Sequence, residues 1–458
     1  MAHENVDVVV IGAGPSGMAA ASTAARHGLS VVLLDEQPAV GGQIYRSITR
    51  TTPRRLEILG PDYAAGKELA ERFAASGATH VSGASVWQVT REREVNYLHE
   101  GGSKTLHAKR IILCTGAMER PFPIPGWTLP GVLTAGAAQI LLKSGDVAPA
   151  EPVVLAGCGP LLYLLGWQYV RAGVPIKAIV DTTDFSDYRR ALKHLGGALA
   201  GWRYLQKGLM LMRTLKKSGV PFYKSATQLA VEGKDAATAL SFEAGGQRHR
   251  IDSKLILLHQ GVVPNTQFTW ALRAKHVWDD AQLCWAPEVD EWGELNIHGI
   301  HVAGDGRGIG GAVAAALQGE LAGLAVAFGE RRIAAEERDR LAAPARAALR
   351  DNLNIRPFLD ALYRPKLENR VPADDVIVCR CEEVTAGAVR EYVGLGCVGP
   401  NQTKSFGRCG MGPCQGRMCG LTVTEVIAEA RQVSREEVGY YRIRPPIKPI
   451  TLAELAGD

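Results

Sequence analysis

The chain has 458 residues, of which 46% are hydrophobic and 22% charged, as in a globular protein of about three domains. Its formal net charge of +5 is small for this length, and no run of Lys and Arg indicates a nucleic-acid-binding arm. No segment reaches the roughly 20 apolar residues of a membrane span, and no secretory signal precedes the first glycine motif, so we expect a cytoplasmic protein.

The first predicted unit is a strand, a glycine turn, a helix and a second strand, over residues 5–36. The turn has the spacing G-x-G-x-x-G, in which Gly12 permits a tight turn and Gly14 lets the backbone approach a pyrophosphate at the helix N-terminus. Asp35 ends the second strand, where an acid accepts hydrogen bonds from a ribose. The residues predicted to bind a dinucleotide here are Gly12, Gly14, Pro15, Ser16, Gly17, Asp35 and Glu36.

Three later segments favour FAD over NAD as the dinucleotide. A Gly-Gly-Gln turn follows the acid, a Thr-Gly pair ends the apolar strand of residues 110–114, and a Gly-Asp pair precedes a helix near residue 304. Together they predict contacts to the pyrophosphate, the flavin crevice and the ribityl chain. The residues concerned are Gly42, Gln43, Thr115, Gly116, Gly304 and Asp305.

Over residues 1–330 these segments resemble the flavoproteins of the glutathione-reductase superfamily. The resemblance implies an α/β fold with a glutathione-reductase-like pair of Rossmann-type dinucleotide-binding domains. Disulfide chemistry in that superfamily uses cysteines at C-x4-C or C-x-x-C spacing. Because Cys158 and Cys284 stand alone, we do not expect a disulfide reductase.

A second strand, glycine turn, helix and strand is predicted from Glu151 to Asp181. Leu162 stands where the third glycine would be, and Asp181 ends the strand without an Arg beside it, which argues against NADP. Two interpretations stay open. The unit binds an adenine nucleotide (NAD or ATP), or it is an inherited fold whose site is empty or holds a fixed nucleotide. The residues predicted to bind the nucleotide are Gly157, Gly159, Pro160 and Asp181.

Two other features are assigned structural roles. The basic stretch from Arg189 to Lys217 is predicted to be an amphipathic helix, with a solvated face favoured over a partner or membrane surface. His259, predicted to follow a strand, and His301, within one, are expected to be core histidines, and the catalytic residues remain unknown.

Six of the nine cysteines lie at or beyond Cys379, which suggests metal ligation. The segment from Cys379 to Gly420 resembles the bacterioferritin-associated-ferredoxin-like (BFD-like) 2Fe–2S domain, and structural zinc would more typically show C-x-x-C pairs. By that resemblance the ligands are Cys379, Cys381, Cys414 and Cys419. Cys409 is an alternative fourth ligand, but only Cys419 is predicted at a helix N-terminus, which favours a thiolate. Cys397 is expected to be a packed thiol.

In this order the segments resemble the alpha (A) subunits of bacterial opine oxidases and dehydrogenases, of D-hydroxyproline and dye-linked proline dehydrogenases, and of hydrogen cyanide synthase. The resemblance implies an electron-transfer subunit, which passes to an acceptor the electrons that it receives from a catalytic, FAD-dependent, sarcosine-oxidase-like beta subunit. The resemblance does not determine whether a small third subunit is present, which amine is the substrate, or what the electron acceptor is. The alternatives are a self-sufficient NAD(P)H:acceptor oxidoreductase and a redox-inert scaffold.

The predicted organisation has five parts. They are an FAD-binding domain of residues 1–120 and 286–330, a nucleotide-binding domain of residues 121–285, a helical linker of residues 331–370, an iron–sulfur domain of residues 371–435 and an extended tail of residues 436–458.

Overall fold

The computed structural model describes residues 4–456. The first part of the chain alternates between strands and helices, because short apolar runs rich in Val and Ile are separated by glycine turns and Ala-rich segments. Its strands are β1 (Glu4–Ile11), β2 (Val31–Asp35), β3 (Thr79–Ser82), β4 (Ser85–Val89), β5 (Glu94–His99) and β6 (Gly102–Leu113). Its helices are α1 (Pro15–Arg26), α2 (Pro53–Leu59), α3 (Pro61–Ala64) and α4 (Gly66–Ala74).

The middle of the chain repeats this plan. Its strands are β7 (Ala117–Glu119), β8 (Val132–Thr134), β9 (Val153–Cys158), β10 (Ile176–Asp181), β11 (Phe222–Tyr223), β12 (Thr227–Gly233), β13 (Ala237–Ala244), β14 (Gln247–Asp252), β15 (Ile256–Gln260), β16 (Val262–Pro264), β17 (His276–Asp279) and β18 (Cys284–Pro287). Its helices are α5 (Ala135–Gly145), α6 (Pro160–Ala172), α7 (Phe185–Leu192), α8 (Leu195–Ala200), α9 (Trp202–Lys217) and α10 (Gln267–Ala271).

The chain then returns to the first sheet and ends in a mostly helical region. The remaining strands are β19 (Ile300–Val302), β20 (Ile377–Cys379) and β21 (Val384–Thr385). The remaining helices are α11 (Ala312–Gly329), α12 (Ala335–Leu353), α13 (Arg356–Leu362), α14 (Ala386–Gly394), α15 (Pro400–Gly407), α16 (Gly420–Arg431), α17 (Arg435–Val438) and α18 (Leu452–Ala456).

Two parallel sheets organise these elements. In the first, β3, β2, β1, β6 and β19 run parallel, and β4 and β5 extend it as antiparallel strands. In the second, the order β11-β10-β9-β15-β8 is parallel throughout. The predicted pair of Rossmann-type domains is thereby confirmed, and the carboxyl ends of each set of strands form an edge where ligands bind in such folds.

Helix α11 packs against α1 in the core of the first domain. The backbone of Ser16 lies where a side chain on Gly319 would stand, with a Cβ only 2.1 Å from the Ser16 carbonyl oxygen, so the two helices approach closely. Within residues 4–456, α11 is the one helix whose length and composition would allow it to cross a membrane, and 56% of it is buried in the protein. Its apolar character is accounted for by this packing.

Several local predictions differ from the structure. The stretch from Arg189 to Lys217 is divided among three helices, with breaks at residues 193–194 and at Gly201. The predicted extended tail of residues 436–458 contains α18. His259 lies within β15 and does not follow it. These differences concern single elements and leave the two parallel sheets unchanged.

Candidate functional site

The first glycine loop lies at the carboxyl end of β1. Gly14 caps α1 and Pro15 takes its first position. Gly12 has a φ of +104°, and a Cβ on Gly17 would stand 1.8 Å from the Gly12 carbonyl oxygen, so the protein itself requires both of these glycines. A Cβ on Gly14 would meet only the Cα of Gly42, at 3.8 Å. The space beside Gly14 is therefore open to a ligand.

The Gly41–Gly42 turn and Asp35, the acid at the end of β2, are hydrogen-bonded to the first glycine loop. The Gly41 N–H donates to the Ala13 carbonyl oxygen over 2.8 Å. The carboxylate of Asp35 accepts hydrogen bonds from the backbone N–H groups of Ala13 (2.6 Å) and Gln37 (2.7 Å). Asp35 therefore orders the loop. The remaining lone pairs of its two oxygens can accept hydrogen bonds from the hydroxyls of a ribose.

The remaining predicted FAD residues lie on the other side of the same crevice. Gly304 packs on Ser16, whose Oγ is 2.6 Å from the position of a Cβ on Gly304. Asp305 Oδ1 accepts two backbone N–H groups directly before α11, each at 2.9 Å. The hydroxyl of Thr115 donates to the Asn265 carbonyl oxygen over 2.9 Å. The segments predicted to bind FAD, which lie up to almost 300 residues apart in the sequence, thus meet around one crevice.

Two buried cations beside this crevice were missed by the sequence analysis. Arg46 is 8% exposed, and its Nε has no acceptor among the described residues. Lys143 of α5 is 2% exposed, and its Nζ donates to the Gln43 carbonyl oxygen (3.1 Å) and to Gln139 Oε1 (2.7 Å). Burial, together with the charge of Arg46, lowers the pKa of Lys143 to about 7.

These cations provide a test of whether the crevice fits FAD. A buried guanidinium without acceptors is costly, and a diphosphate or a flavin carbonyl supplies acceptors of the required kind. Within the described residues, neither Arg46 nor Lys143 has a salt-bridge partner in the protein. The donors of the crevice, namely a helix N-terminus and two cations, therefore fit an anionic dinucleotide.

The second glycine loop, Gly157–Gly159 at the carboxyl end of β9, has a different environment. The His259 ring stands opposite Gly159, with Nε2 3.1 Å from the position of a Cβ, and Nδ1 of that ring contacts Glu119 at 3.0 Å. Asp181 is buried, and its two oxygens accept from the Tyr163 hydroxyl (2.5 Å) and the Thr183 N–H (2.9 Å). Burial raises the pKa of Asp181.

The linker adds to this environment, since the Cys158 thiol beside Gly157 donates to the Tyr363 carbonyl oxygen over 3.6 Å. Leu162, in place of the third glycine, is fully buried at the start of α6 beside Pro160. The residues predicted to hold an adenine nucleotide are thus largely bonded to the protein itself.

Five cysteines converge in the C-terminal region. The Sγ atoms of Cys379, Cys409 and Cys419 lie within 4.8 Å of one another, and all three residues are buried. Cys381 lies close enough to Cys414 and Cys379 for both to raise its pKa, after the larger effect of burial. All five are free thiols, so the donor set is a cluster of soft sulfur ligands of the kind that binds iron–sulfur clusters or zinc.

Hydrogen bonds to sulfur are a second feature of this cysteine site. The thiols of Cys409 and Cys419 and the backbone N–H groups of Gly410 and Glu382 lie close enough to Cys379 to lower its pKa. Backbone N–H groups aimed at a thiolate tune iron–sulfur potentials. Cys419 directly precedes α16, as expected from the sequence.

Two further residues of this region are Tyr441, which contacts the cysteine site, and Cys397, which lies outside it. Tyr441, which the sequence analysis did not single out, is buried against Gly410 and Gly416, and its hydroxyl donates to Cys409 Sγ over 3.3 Å. Cys397 is buried away from this group and donates to the Gly399 carbonyl oxygen at 3.3 Å, as expected of a packed thiol.

The cysteine region and the tail pack directly onto the two preceding domains. Gln267 Nε2 donates to the Gln415 carbonyl oxygen over 3.0 Å, and Lys448 of the tail forms an ion pair with Glu36. A cavity of about 30 Å³ lies between the two regions. It is lined on one side by Asn265, whose carbonyl oxygen accepts from Thr115, and on the other by Arg417, Leu421 and Tyr440. The two candidate cofactor sites therefore belong to one folded body.

Comparisons with known proteins agree with this architecture. The family model of pyridine nucleotide-disulphide oxidoreductases matches residues 6–184, and that of the sarcosine oxidase A3 domain matches residues 376–458. The solved L-proline dehydrogenase of P. horikoshii has a TM-score of 0.72 and 20% identity, over 99% of this chain and 80% of that chain. At this identity the likeness supports the fold.

Two curated relatives match over nearly their whole length. The A subunit of opine oxidase from Agrobacterium tumefaciens (strain Ach5) is 45% identical over 461 residues, which cover 98% of this chain and 91% of the relative. The HcnB subunit of hydrogen cyanide synthase from Pseudomonas aeruginosa is 30% identical over 470 residues, or 97% of each chain. The resemblance predicted from the sequence motifs is therefore confirmed.

Proposed function

We propose a function from one premise, that the chain belongs to the family of opine oxidase A subunits. It is accordingly a subunit of a multi-subunit, flavin-dependent oxidoreductase that acts on amino acids. Within such an assembly we assign it the electron-relay role. A catalytic, sarcosine-oxidase-like partner subunit oxidises the C–N bond of a secondary amine, such as an opine, and this chain passes the electrons to an acceptor. A cytoplasmic location is part of the proposal, since oxidising compartments favour disulfides over nine free thiols.

The proposal depends mainly on one observation, the convergence of the five-cysteine site and the FAD crevice within one folded body. A bound flavin accepts electrons in pairs, and an iron–sulfur cluster passes them singly. In this assignment Gly14 and the N-terminus of α1 hold the FAD pyrophosphate, while Arg46 and Lys143 supply positive charge beside it. Cys379, Cys381, Cys414 and Cys419 hold a 2Fe–2S cluster.

The geometry of the second glycine loop argues against the alternative of a self-sufficient NAD(P)H reductase. Catalytic turnover needs an open nucleotide site, whereas the His259 ring stands over Gly159 and the oxygens of Asp181 are bonded to Tyr163 and Thr183. We therefore assign the second domain no electron-donating nucleotide.

The test is anaerobic reduction of the purified chain, alone and with its partner subunit. We expect a flavin spectrum, two iron atoms per chain and an electron paramagnetic resonance signal after dithionite treatment. We also expect an amine substrate to bleach the flavin only when the partner is present. Bleaching of the isolated chain by NADH would favour the reductase alternative, and absence of iron would overturn the cluster assignment.

A further inference from the structure

Helices α7, α8 and α9 present an unusual outer surface. Their large apolar side chains point outward, with Phe185 76%, Leu192 60% and Leu199 63% exposed, whereas the buried positions of α7 and α8 include the small residues Ala191 and Ala198. This reverses the ordinary pattern of a surface helix. The outer α7–α9 surface comprises Phe185, Tyr188, Leu192, Leu195, Leu199, Trp202, Tyr204, Leu209 and Met210.

This surface is also strongly basic. The segment of residues 185–217 contains eight Lys and Arg residues, and its one acid, Asp187, is buried and bonded to Arg190 and Lys366. Within the described residues, six of these cations have no carboxylate partner: Arg189, Lys193, Arg203, Arg213, Lys216 and Lys217. An exposed apolar stripe among unpaired cations is typical of a surface that binds another molecule.

The surface adjoins the loop that contains Gln43 and Arg46. Lys207 of α9 forms an ion pair with Asp62 of the first domain, and the Tyr204 hydroxyl bonds to Asn352 Oδ1 of the linker at 2.5 Å. Tyr204 also lies close enough to Tyr45 to raise the pKa of that phenol, after the larger effect of burial. A molecule bound here would therefore stand beside the FAD crevice.

We propose that the outer α7–α9 surface binds an acidic face of the catalytic partner subunit. The inference rests on the proposed function, because it takes the occupant to be that catalytic partner. Arg189 and Lys193 lie among the outward apolar side chains, so covering Leu192 also desolvates cations, which then need carboxylates at fixed positions. A folded acidic protein surface provides such carboxylates.

Two other occupants fit less well. In a symmetric contact with a second copy of this chain, each cationic patch would face itself, since an isologous interface pairs the same surface of both subunits. A membrane would accept the apolar stripe, but lipid headgroups do not hold carboxylates in register with Arg189 and Lys193. Both remain outcomes of the test.

The experiment uses the full-length chain, affinity-tagged in its native host. A photoreactive benzoylphenylalanine replaces Leu199, irradiation follows in the intact assembly, and crosslinked peptides are identified by mass spectrometry. In parallel, the double variant Leu192→Asp/Leu199→Asp and the charge variant Arg189→Glu/Lys193→Glu are purified. We expect crosslinks to an acidic segment of a flavoprotein subunit. We also expect a loss of partner affinity of about 30-fold or more in each variant, as for interface hot spots.

The matched control is Leu395→Asp, since Leu395 is exposed to the same degree as Leu199 (65% against 63%) but lies in the cysteine region. It should retain the partner. All variants should keep their flavin absorbance and melting temperature, which separates loss of the interface from loss of the fold.

Four results would overturn the inference. A wild-type chain that carries no flavoprotein subunit would remove the proposed function and this inference together. A partner that stays bound to both variants would remove only the inference. Crosslinks to a second copy of this chain would assign the surface to self-association. Binding of the wild type, but not of Leu192→Asp/Leu199→Asp, to vesicles of anionic phosphatidylglycerol would assign it to a membrane.

Discussion

At the scale of single residues, Gly14 is a position where the fold tolerates a side chain but FAD binding does not. Its φ of −73° is available to any residue, and a Cβ there has ordinary contacts, whereas a Cβ on Gly17 would strike the backbone. We therefore expect Gly14→Val to fold and to lack FAD, because the valine methyl groups take the space beside the helix N-terminus. Circular dichroism and flavin absorbance of the purified protein measure the two properties. Stoichiometric flavin in Gly14→Val would disprove the assignment of this loop.

Lys143 predicts a pH dependence of stability in the apoprotein. Burial lowers its pKa from 10.5 to about 7, so between these values the unfolded chain binds a proton that the folded chain does not. The free energy of unfolding should therefore rise with pH across this window, with a contribution from Lys143 of up to about 1.4 kcal/mol per pH unit. In Lys143→Met this contribution disappears.

Urea unfolding of the two apoproteins at several pH values within that window tests the prediction. The difference between the two slopes isolates Lys143, because other groups with lowered pKa values, such as Lys448, contribute to both proteins. Parallel slopes would show that Lys143 keeps its ordinary pKa in the folded protein.

The choice between Cys409 and Cys419 is a third residue-scale question. Both sulfurs lie near Cys379 and bond to the Tyr441 hydroxyl, but Cys419 stands at the N-terminus of α16. A helix N-terminus stabilises a thiolate. We expect Cys409→Ser to retain both iron atoms and the visible absorbance of the cluster, and Cys419→Ser to lose them. Iron analysis with the reverse result would make Cys409 the fourth ligand.

At the scale of elements, a buried ion pair joins the linker to the cysteine region. Glu425 of α16 is 1% exposed and pairs with Arg370, which is also buried, and with the partly exposed Arg435. Removing one partner of such a pair leaves an uncompensated charge, so Glu425→Leu should cost about 3–5 kcal/mol, and Arg370→Met/Glu425→Leu should recover most of it. Denaturant unfolding measures both. Equal losses in the single and double variants would mean that the two side chains do not interact.

The exposed pair Arg54–Glu57 is the matched control for this experiment. Exposed ion pairs contribute up to about 1 kcal/mol, so replacing both of these side chains should change stability little. A large loss there would indicate that the measurement reports something other than the pairing of charges.

The sequence predicted elements well where the signal was local. The β1–α1–β2 and β9–α6–β10 units follow from glycine turns between apolar runs, and both are present. The division of residues 185–217 into three helices was missed, because its cause is distant in the chain. Gly197 lies against the Asn354 carbonyl oxygen and Gly201 against Ile355, where any side chain would clash.

The same reason explains the site residues that the sequence did not reveal. Arg46 and Lys143 are almost 100 residues apart and share no motif, so only the fold brings them to one crevice. Tyr441 contacts Cys409 from a tail that was predicted to be merely extended. Glycine and cysteine motifs carry their chemistry in their spacing, whereas single cations and aromatic rings acquire a role from their neighbours.

At the scale of the whole molecule, the question is the direction in which electrons enter. The open space beside Gly14 and the His259 ring over Gly159 make the two glycine loops unequal, although their sequences are similar. His259 is itself held by Glu119, and Asp181 by Tyr163, so opening the second loop would break buried hydrogen bonds. Electrons should therefore enter from a protein partner and not from a nicotinamide nucleotide.

This asymmetry leads to a prediction for the purified, FAD-loaded chain. Under anaerobic conditions neither NADH nor NADPH should bleach the flavin band over minutes, whereas dithionite should bleach it fully and thereby show that the flavin is reducible. His259→Ala removes the ring above Gly159 and should not by itself create turnover, because Asp181 remains bonded to Tyr163 and Thr183. Rapid bleaching of the wild type by NADH would mean that the second domain opens to bind a nucleotide, and that electrons can enter without a protein partner.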